Sequence, residues 1–356
     1  MLSDYDLSPS LVAVLAVFVI TAILFVRSLR NLQALPKLSR AASTAQADCM
    51  VVIPARDEED CIARAVKSFP NDTVIVVDDH STDATAEEAS KAGAGVLPAP
   101  PLPKGAVGKP HACMVGGRVL TSRWILFADA DTWYDEGFLD SAVAGAESAG
   151  LDFLSVHLTP TSQSLAEHLL VPYLSAVFFS GASLRRDPTA VFSGRCLLVR
   201  REAYEFVGGH APVLRFLPED VKLAALAHRH RLKFSVARAA QLGHVRLYAG
   251  WRGIWAGIER DAFRLAQVSP AAGILILLTA ACAALWFPMA AWLWMNEYRE
   301  VAGASAVLFL ALLSPWYGVL RVLLAPMAVY LAIPFLFHGL LGALIGRSIT
   351  WKGRVI

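Results

Sequence analysis

Four short apolar runs mark the middle of the chain: MVVI (50–53), TVIVV (73–77), WILFA (124–128) and DFLSV (152–156). Unbroken apolar runs of this length predict strands buried on both faces. Between them lie stretches of helical character, DEEDCIARAVKSF and TDATAEEASKAG. The second opens on a Thr or Asp cap and closes near Gly93. Strand–helix alternation predicts an α/β domain over 48–245 with a mostly parallel sheet. Ligands of such sheets bind beyond the carboxyl ends of the strands.

The flanks follow another pattern. Residues 10–26 (SLVAVLAVFVITAILFV) carry no charge, with Asp4 and Asp6 before them and Arg27, Arg30, Lys37 and Arg40 after. A signal peptide has its positive charge ahead of the apolar run. The order here predicts an anchor and basic linker over 1–47, with the following domain on the cytoplasmic side of the cell (inner) membrane. Residues 271–295 are also uncharged and long enough to span. NEYRE (296–300) follows as a polar turn, and 301–346 are apolar apart from Arg321 and His338. That leaves two or three hydrophobic segments over 269–356: two more spans, or one span and a segment broken at Pro315, Pro326 or Pro334. Four spans in all would place Arg347, Lys352 and Arg354 outside, against the positive-inside rule. Between domain and spans, 246–268 put Trp251, Ile254, Trp255 and Ile258 on one helical face, with Arg252, Arg260 and Arg264 adding basic character. This predicts an amphipathic helix at the membrane surface, or one packed on the α/β domain.

Composition agrees with a membrane protein: 56% of residues are hydrophobic and 17% charged. A net charge of +2, from 32 basic and 30 acidic residues, lacks the clustered basic surface of a nucleic-acid binder. The five cysteines, Cys49, Cys61, Cys113, Cys196 and Cys282, form no C-x-x-C pair and are odd in number, which predicts reduced thiols.

Chemistry gathers where apolar runs end. ILFADAD (125–131) closes on Asp129 and Asp131, two carboxylates aimed to one side. Such a pair suits Mg²⁺ or Mn²⁺ shared with substrate phosphates, although a solvated strand end accounts for most lone D-x-D sequences. VVIPARDEE (51–59) and VIVVDDHSTDAT (74–85) end similarly in acidic turns. PLPKGAVGKPHA (101–112) carries Lys109 after a glycine, and FLPEDVKLA (216–224) places Glu219 and Asp220 at a helix start. Taken singly these are caps, a surface lysine and first-turn acids. Their combination and order are specific.

With these stretches, and with SGRCLLVRREAYEFVGGH (193–210) and HVRLYAGWRGIWAG (244–257), the chain resembles the family-2 glycosyltransferases over roughly 48–265. Within that family it is most similar to the membrane-anchored branch that glycosylates carotenoid acids and to hopanoid-associated members. The resemblance implies a GT-A fold, a nucleotide-sugar donor (UDP-linked), a lipid acceptor and a divalent metal. It implies that Pro54, Ala55 and Glu58 line the nucleotide pocket, that Asp79 accepts hydrogen bonds from the base, and that Lys109 approaches the diphosphate. Asp129 would sit near ribose and metal, Asp131 would be the main metal ligand, and Asp220 the base acting on the acceptor. Glu219, Arg195, His210 and His111 would border the acceptor, with Arg195 and His111 departing from the family's usual Gln and Trp. His244 is a further candidate ligand; His228 and His230 read as a solvated face, and His80 as a loop residue. The expected activity is inverting transfer of one sugar, a hexose, to a membrane lipid. Synthesis of a polyprenyl-phosphate sugar is the alternative, with Arg185, Arg186 and Arg195 receiving the phosphate. A silent scaffold and a transporter are weaker readings. No Gln-x-x-Arg-Trp sequence of the polymerising members occurs.

Overall fold

A computed structural model describes residues 8–41, 47–181, 192–216, 219–268, 270–344, 350–351 and 354–355. In chain order, helix α1 (Pro9–Ala34) precedes β1 (Cys49–Ala55), α2 (Ile62–Lys67), β2 (Val74–Asp78), α3 (Thr85–Lys91), β3 (Gly95–Pro98), α4 (Gly108–Val119) and β4 (Trp124–Ala128). Next come β5 (Thr132–Tyr134), α5 (Phe138–Ser148), β6 (Phe153–His157), β7 (Thr159–Pro160) and α6 (Leu165–Gly181). They are followed by β8 (Cys196–Arg200), α7 (Arg201–Phe206), α8 (Glu219–Arg229), β9 (Phe234–Arg238) and β10 (Gly243–Val245). Helices α9 (Gly250–Val268), α10 (Pro270–Met295), α11 (Arg299–Tyr317) and α12 (Ala325–Leu344) complete the main elements.

These elements form two compact units. The α/β unit holds Leu35–Thr161, Leu184–Leu247 and Ser348–Ile356. Its seven-stranded sheet runs β3-β2-β1-β4-β8-β6-β9. Every pairing is parallel except the two made by β8. All four apolar runs read as strands lie in this sheet, with ends shifted by at most two residues. Val51, Val52, Ile53, Trp124, Ile125 and Leu126 are wholly buried, as strands covered on both faces require. Helix α4 reaches β1 through Gly116, where a Cβ would stand 2.5 Å from a Val52 methyl. A second, three-stranded sheet has the order β5-β10-β7.

The strand order reverses between β1 and β4. Chain connections leave in opposite directions there, and in sheets of this kind ligands bind at such a point beyond the carboxyl ends. Pro54 and Ala55 end β1, paired with Val77 and Asp78 of β2, and Asp129 directly follows β4.

The helical unit comprises Met1–Ala34, Ser162–Ser183 and Tyr248–Arg347. Among the described residues, four helices are long and apolar enough to cross a membrane: Pro9–Ala34, Gly273–Met295, Arg299–Tyr317 and Arg321–Gly339. Pro315 and Pro334 lie inside α11 and α12 without ending them, and Pro326 occupies the first turn of α12, where no intrahelical N–H is needed. Aromatic packing joins α1, α10 and α11: Phe18 and Trp286 have ring centroids 4.3 Å apart, and Trp286 and Phe309 5.3 Å.

Two features differ from the sequence-based domain boundaries. Residues 162–183, expected inside the α/β domain, belong to the helical unit through the apolar helix α6. Helix α9 also belongs there, and its expected single face divides. Ile254 and Ile258 enter the apolar core of the unit, whereas Trp251 is 47% exposed and its ring lies over Phe335. The side chains of Arg260 and Arg264 lie outside the described residues, as do Asp4, Asp6, Arg347 and Lys352.

Candidate active site

The turn after β4 is built by backbone bonds. The Asp129 N–H donates to the Arg195 carbonyl at 3.0 Å, and the Thr132 hydroxyl donates to the Asp129 carbonyl at 2.7 Å. This fixes Asp129 and Asp131 beyond the sheet at the reversal point. Lys109, near the start of α4, places Nζ 2.6 Å from Asp129 Oδ1 and 3.4 Å from Glu219 Oε1. It also donates to the Gly194 carbonyl at 3.4 Å. Burial alone would lower the lysine pKa, but the charges of Asp129 and Glu219 prevail and raise it, so the ammonium stays charged.

Gly194 links this cluster to Asp220. Its N–H donates to Asp220 Oδ2 at 2.7 Å, and the Val221 N–H donates to Oδ1 at 2.9 Å. A Cβ at position 194 would lie 3.0 Å from the Asp220 Cβ and 3.2 Å from its Oδ2, so a larger residue there would crowd the carboxylate. Glu219 and Asp220 form the first turn of α8, where the helix dipole favours negative charge. Both are buried, Glu219 to 2% exposure.

Asp131 Oδ1 is buried and has no hydrogen-bond partner. Burial, then the charge of Asp129, push its carboxyl up to about 6, against the lowering effect of Arg195 and Lys109; Glu58 adds to the rise. Arg195 and Glu58 thus both lie close enough to Asp131 to shift its charge equilibrium. An unsatisfied carboxylate oxygen beside a second carboxylate is donor chemistry that fits a hard divalent cation completed by phosphate oxygens. No group of three His, Cys, Asp or Glu side chains able to hold a metal occurs among the described residues, so the rest of a coordination shell would come from substrate and water.

The loops after β1 and β2 are also ordered by named contacts. Asp79 is buried, and its N–H donates to the Ala55 carbonyl at 2.8 Å. Asp57 adopts φ +51°, and its Oδ1 accepts the Thr82 N–H at 2.7 Å. The Glu58 N–H donates to the Thr85 hydroxyl at 2.7 Å. Sequence reasoning left out Arg56, whose guanidinium donates to the Asp79 carbonyl at 2.9 Å and braces β1 against β2. It also left out Gly194 and Tyr204. Each lies within a stretch already singled out, but only the fold shows what it touches.

His210 is buried beneath this site. Its Nδ1 lies 2.7 Å from the Tyr204 hydroxyl, its N–H donates to that oxygen at 3.2 Å, and its ring meets Phe127 edge-on. Burial, then the charge of Lys109, push its pKa down to about 3, so the imidazole is neutral. His111 is buried in α4. His244 is not brought to the carboxylate pair: Nε2 lies 3.4 Å from Asp135, and the ring stacks on Trp133. His80, His228 and His230 are exposed. Arg185 and Arg186 lie outside the described residues.

The mostly parallel α/β sheet, with an acid pair and a lysine at its reversal point, is a fold of GT-A type. Residues 50–208 match the model of the family described as Glycosyl transferase family 2. Among curated relatives, the 4,4'-diaponeurosporenoate glycosyltransferase of Staphylococcus haemolyticus (strain JCSC1435) is 26% identical over 222 residues, covering 56% of this chain and 59% of the relative. The protein of that name from Staphylococcus aureus (strain USA300) is 29% identical with the same coverage. The match thus spans 59% of the length of these relatives. A mannosyltransferase from Pyrobaculum calidifontis, solved with GDP-Man and Mn²⁺, superposes with a TM-score of 0.57 at 16% identity, covering 95% of this chain and 98% of that one. It shares the fold.

Proposed function

We propose that the chain is a membrane-anchored, metal-dependent glycosyltransferase that moves one hexose from a nucleotide sugar, UDP-linked, to an isoprenoid lipid acid, with inversion at the anomeric carbon. The observation that carries this reading is the cluster of half-buried Asp129, Asp131 and Lys109 with buried Glu219 and Asp220 at the sheet reversal, in a chain whose residues 50–208 match the family-2 model. The acceptor class is supported by the names of the relatives. Membrane placement is supported by the four long apolar helices, and a cytoplasmic catalytic domain by the basic residues that follow α1.

A bound Mn²⁺ or Mg²⁺ would offset the charge that builds on the departing diphosphate. Asp129 and Asp131 would hold it, and Lys109 would add a second positive charge at the diphosphate. The acceptor oxygen attacks the anomeric carbon from the face opposite the breaking carbon–oxygen bond, and the nucleoside diphosphate leaves with that bond's electrons. Asp220, oriented by two backbone N–H groups, serves as the base when the acceptor is an alcohol. A carboxylate acceptor has no proton to give up, and Asp220 then positions it. Arg195 supplies a cation on the Asp131 side of the site.

Comparative lipid mass spectrometry of cells with and without the protein tests this reading. The expected result is loss of a lipid heavier than its acid precursor by one hexose. Loss of a polyprenyl-phosphate sugar alone would overturn the acceptor assignment.

A further inference from the structure

Lys109 stands where the charge of the site is most crowded. Its ammonium lies 2.6 Å from Asp129, which shares the reversal point with Asp131, and 3.4 Å from the buried Glu219. Its third contact, the Gly194 carbonyl, belongs to the residue whose N–H holds Asp220. One cation thus neutralises acids arriving from β4 and α8 while sitting on one of the two carboxylates that suit a divalent ion. A divalent ion bound to Asp129 and Asp131 would meet this ammonium at close range, and the two repel. A diphosphate changes the balance, because its oxygens offer the ammonium a new partner and leave Asp129 to the metal.

We propose that Lys109 is a placeholder cation that makes the divalent metal and the nucleotide diphosphate bind as a unit. With the donor absent, the lysine occupies Asp129 and keeps metal affinity low. With the diphosphate present, the lysine transfers to it, and metal and nucleotide strengthen each other. Coupling of this kind is reciprocal: the factor by which nucleotide tightens metal binding is the factor by which metal tightens nucleotide binding. The consequence is that neither a bare metal nor a metal-free sugar nucleotide occupies the site productively. The inference rests on the proposed nucleotide-sugar and metal reading.

The test is Mn²⁺ binding to the full chain in detergent, read from the electron paramagnetic resonance signal of free Mn²⁺, with and without UDP or GDP. The wild-type protein is expected to bind Mn²⁺ on the order of tenfold or more tightly with nucleotide, within the usual range of such couplings. In Lys109→Met, Mn²⁺ alone should bind more tightly than in the wild type, and the nucleotide effect should shrink by on the order of tenfold. Lys109→Arg, which keeps the charge, should retain most of the coupling. Removing the ammonium leaves Glu219 without that cation, so Glu219→Gln and Lys109→Met/Glu219→Gln form a second pair in which the same loss of coupling is expected. An unchanged nucleotide effect in both lysine-to-methionine proteins would overturn the placeholder role and leave the metal site standing. A wild-type protein that binds no Mn²⁺ under either condition would instead overturn the underlying reading.

Discussion

The two units bury polar groups in opposite ways. In the helical unit they are mostly neutral and end on backbone carbonyls: Thr21 donates to Val17 at 2.7 Å, Ser28 to Ala176 at 2.5 Å and Trp286 to Ser305 at 3.2 Å. Ser180 and Thr279 also share a hydrogen bond of 2.8 Å. In the α/β unit, charges converge on one sheet end, and Asp131 keeps a buried oxygen with no partner. A satisfied hydroxyl secures helix packing, since an unmade bond in an apolar setting is costly. An unsatisfied carboxylate opposes folding and persists where a ligand is to complete it. The first arrangement is built for stability and the second for binding.

Substitutions in the site should therefore separate activity from stability. Asp220→Asn is expected to lower sugar transfer at least ~100-fold if the acceptor must lose a proton, because its base is gone. With a carboxylic-acid acceptor the loss should be nearer ~10-fold, so initial rates on alcohol and acid acceptors distinguish the two roles of this residue.

Asp131→Asn should stabilise the metal-free protein while disabling it. The folded site raises this carboxyl from 3.8 to about 6, so its ionised form opposes folding at every pH above that value. Removing the charge should raise stability at pH 7 by about 1–3 kcal/mol. Thermal unfolding in the presence of a chelator measures this; a destabilised variant would contradict the assignment of Asp131 as an unsatisfied acid.

His210 gives the α/β unit its own pH response. The folded state keeps the imidazole neutral down to about 3, whereas the unfolded chain takes up a proton below about 6.5. Stability should thus fall by about 1.4 kcal/mol per pH unit as pH drops from 6.5 towards 3. In His210→Gln that slope should flatten, and an unchanged acid limb would count against the buried neutral histidine.

In the helical unit the effect should be smallest. Thr279→Val removes the bonds to Ser180 and to the Leu275 carbonyl and should cost about 0.6 kcal/mol. Transfer per folded molecule should stay at the wild-type level. A large loss of activity would show that this buried polar pair does more than pack.

Legibility in the sequence followed the same division. The ends of β1, β2 and β4 could be read because each apolar run stops at acidic or turn residues, and period and burial agree. The link from Gly194 to Asp220 could not, since it joins residues 26 apart through a backbone approach that no spacing rule announces. Helix α6 was hidden by its setting: LAEHLLVPYLSAVFFSG lies between strands and is shorter than a bilayer span, so its apolar face read as part of the domain. The division of α9 was equally hidden, because Ile254 and Trp255 are adjacent in sequence and helical periodicity alone cannot rank neighbouring faces.

The central claim is that the acid cluster is a metal-dependent sugar-transfer site. The most direct measurement is transfer of labelled sugar from UDP- and GDP-sugars into the lipid extract of membranes bearing the full chain, after chelation and again after added Mn²⁺. Transfer should vanish with the chelator and return with Mn²⁺ in the wild type, and stay absent in Asp131→Asn under both conditions. Undiminished transfer by Asp131→Asn would contradict the account.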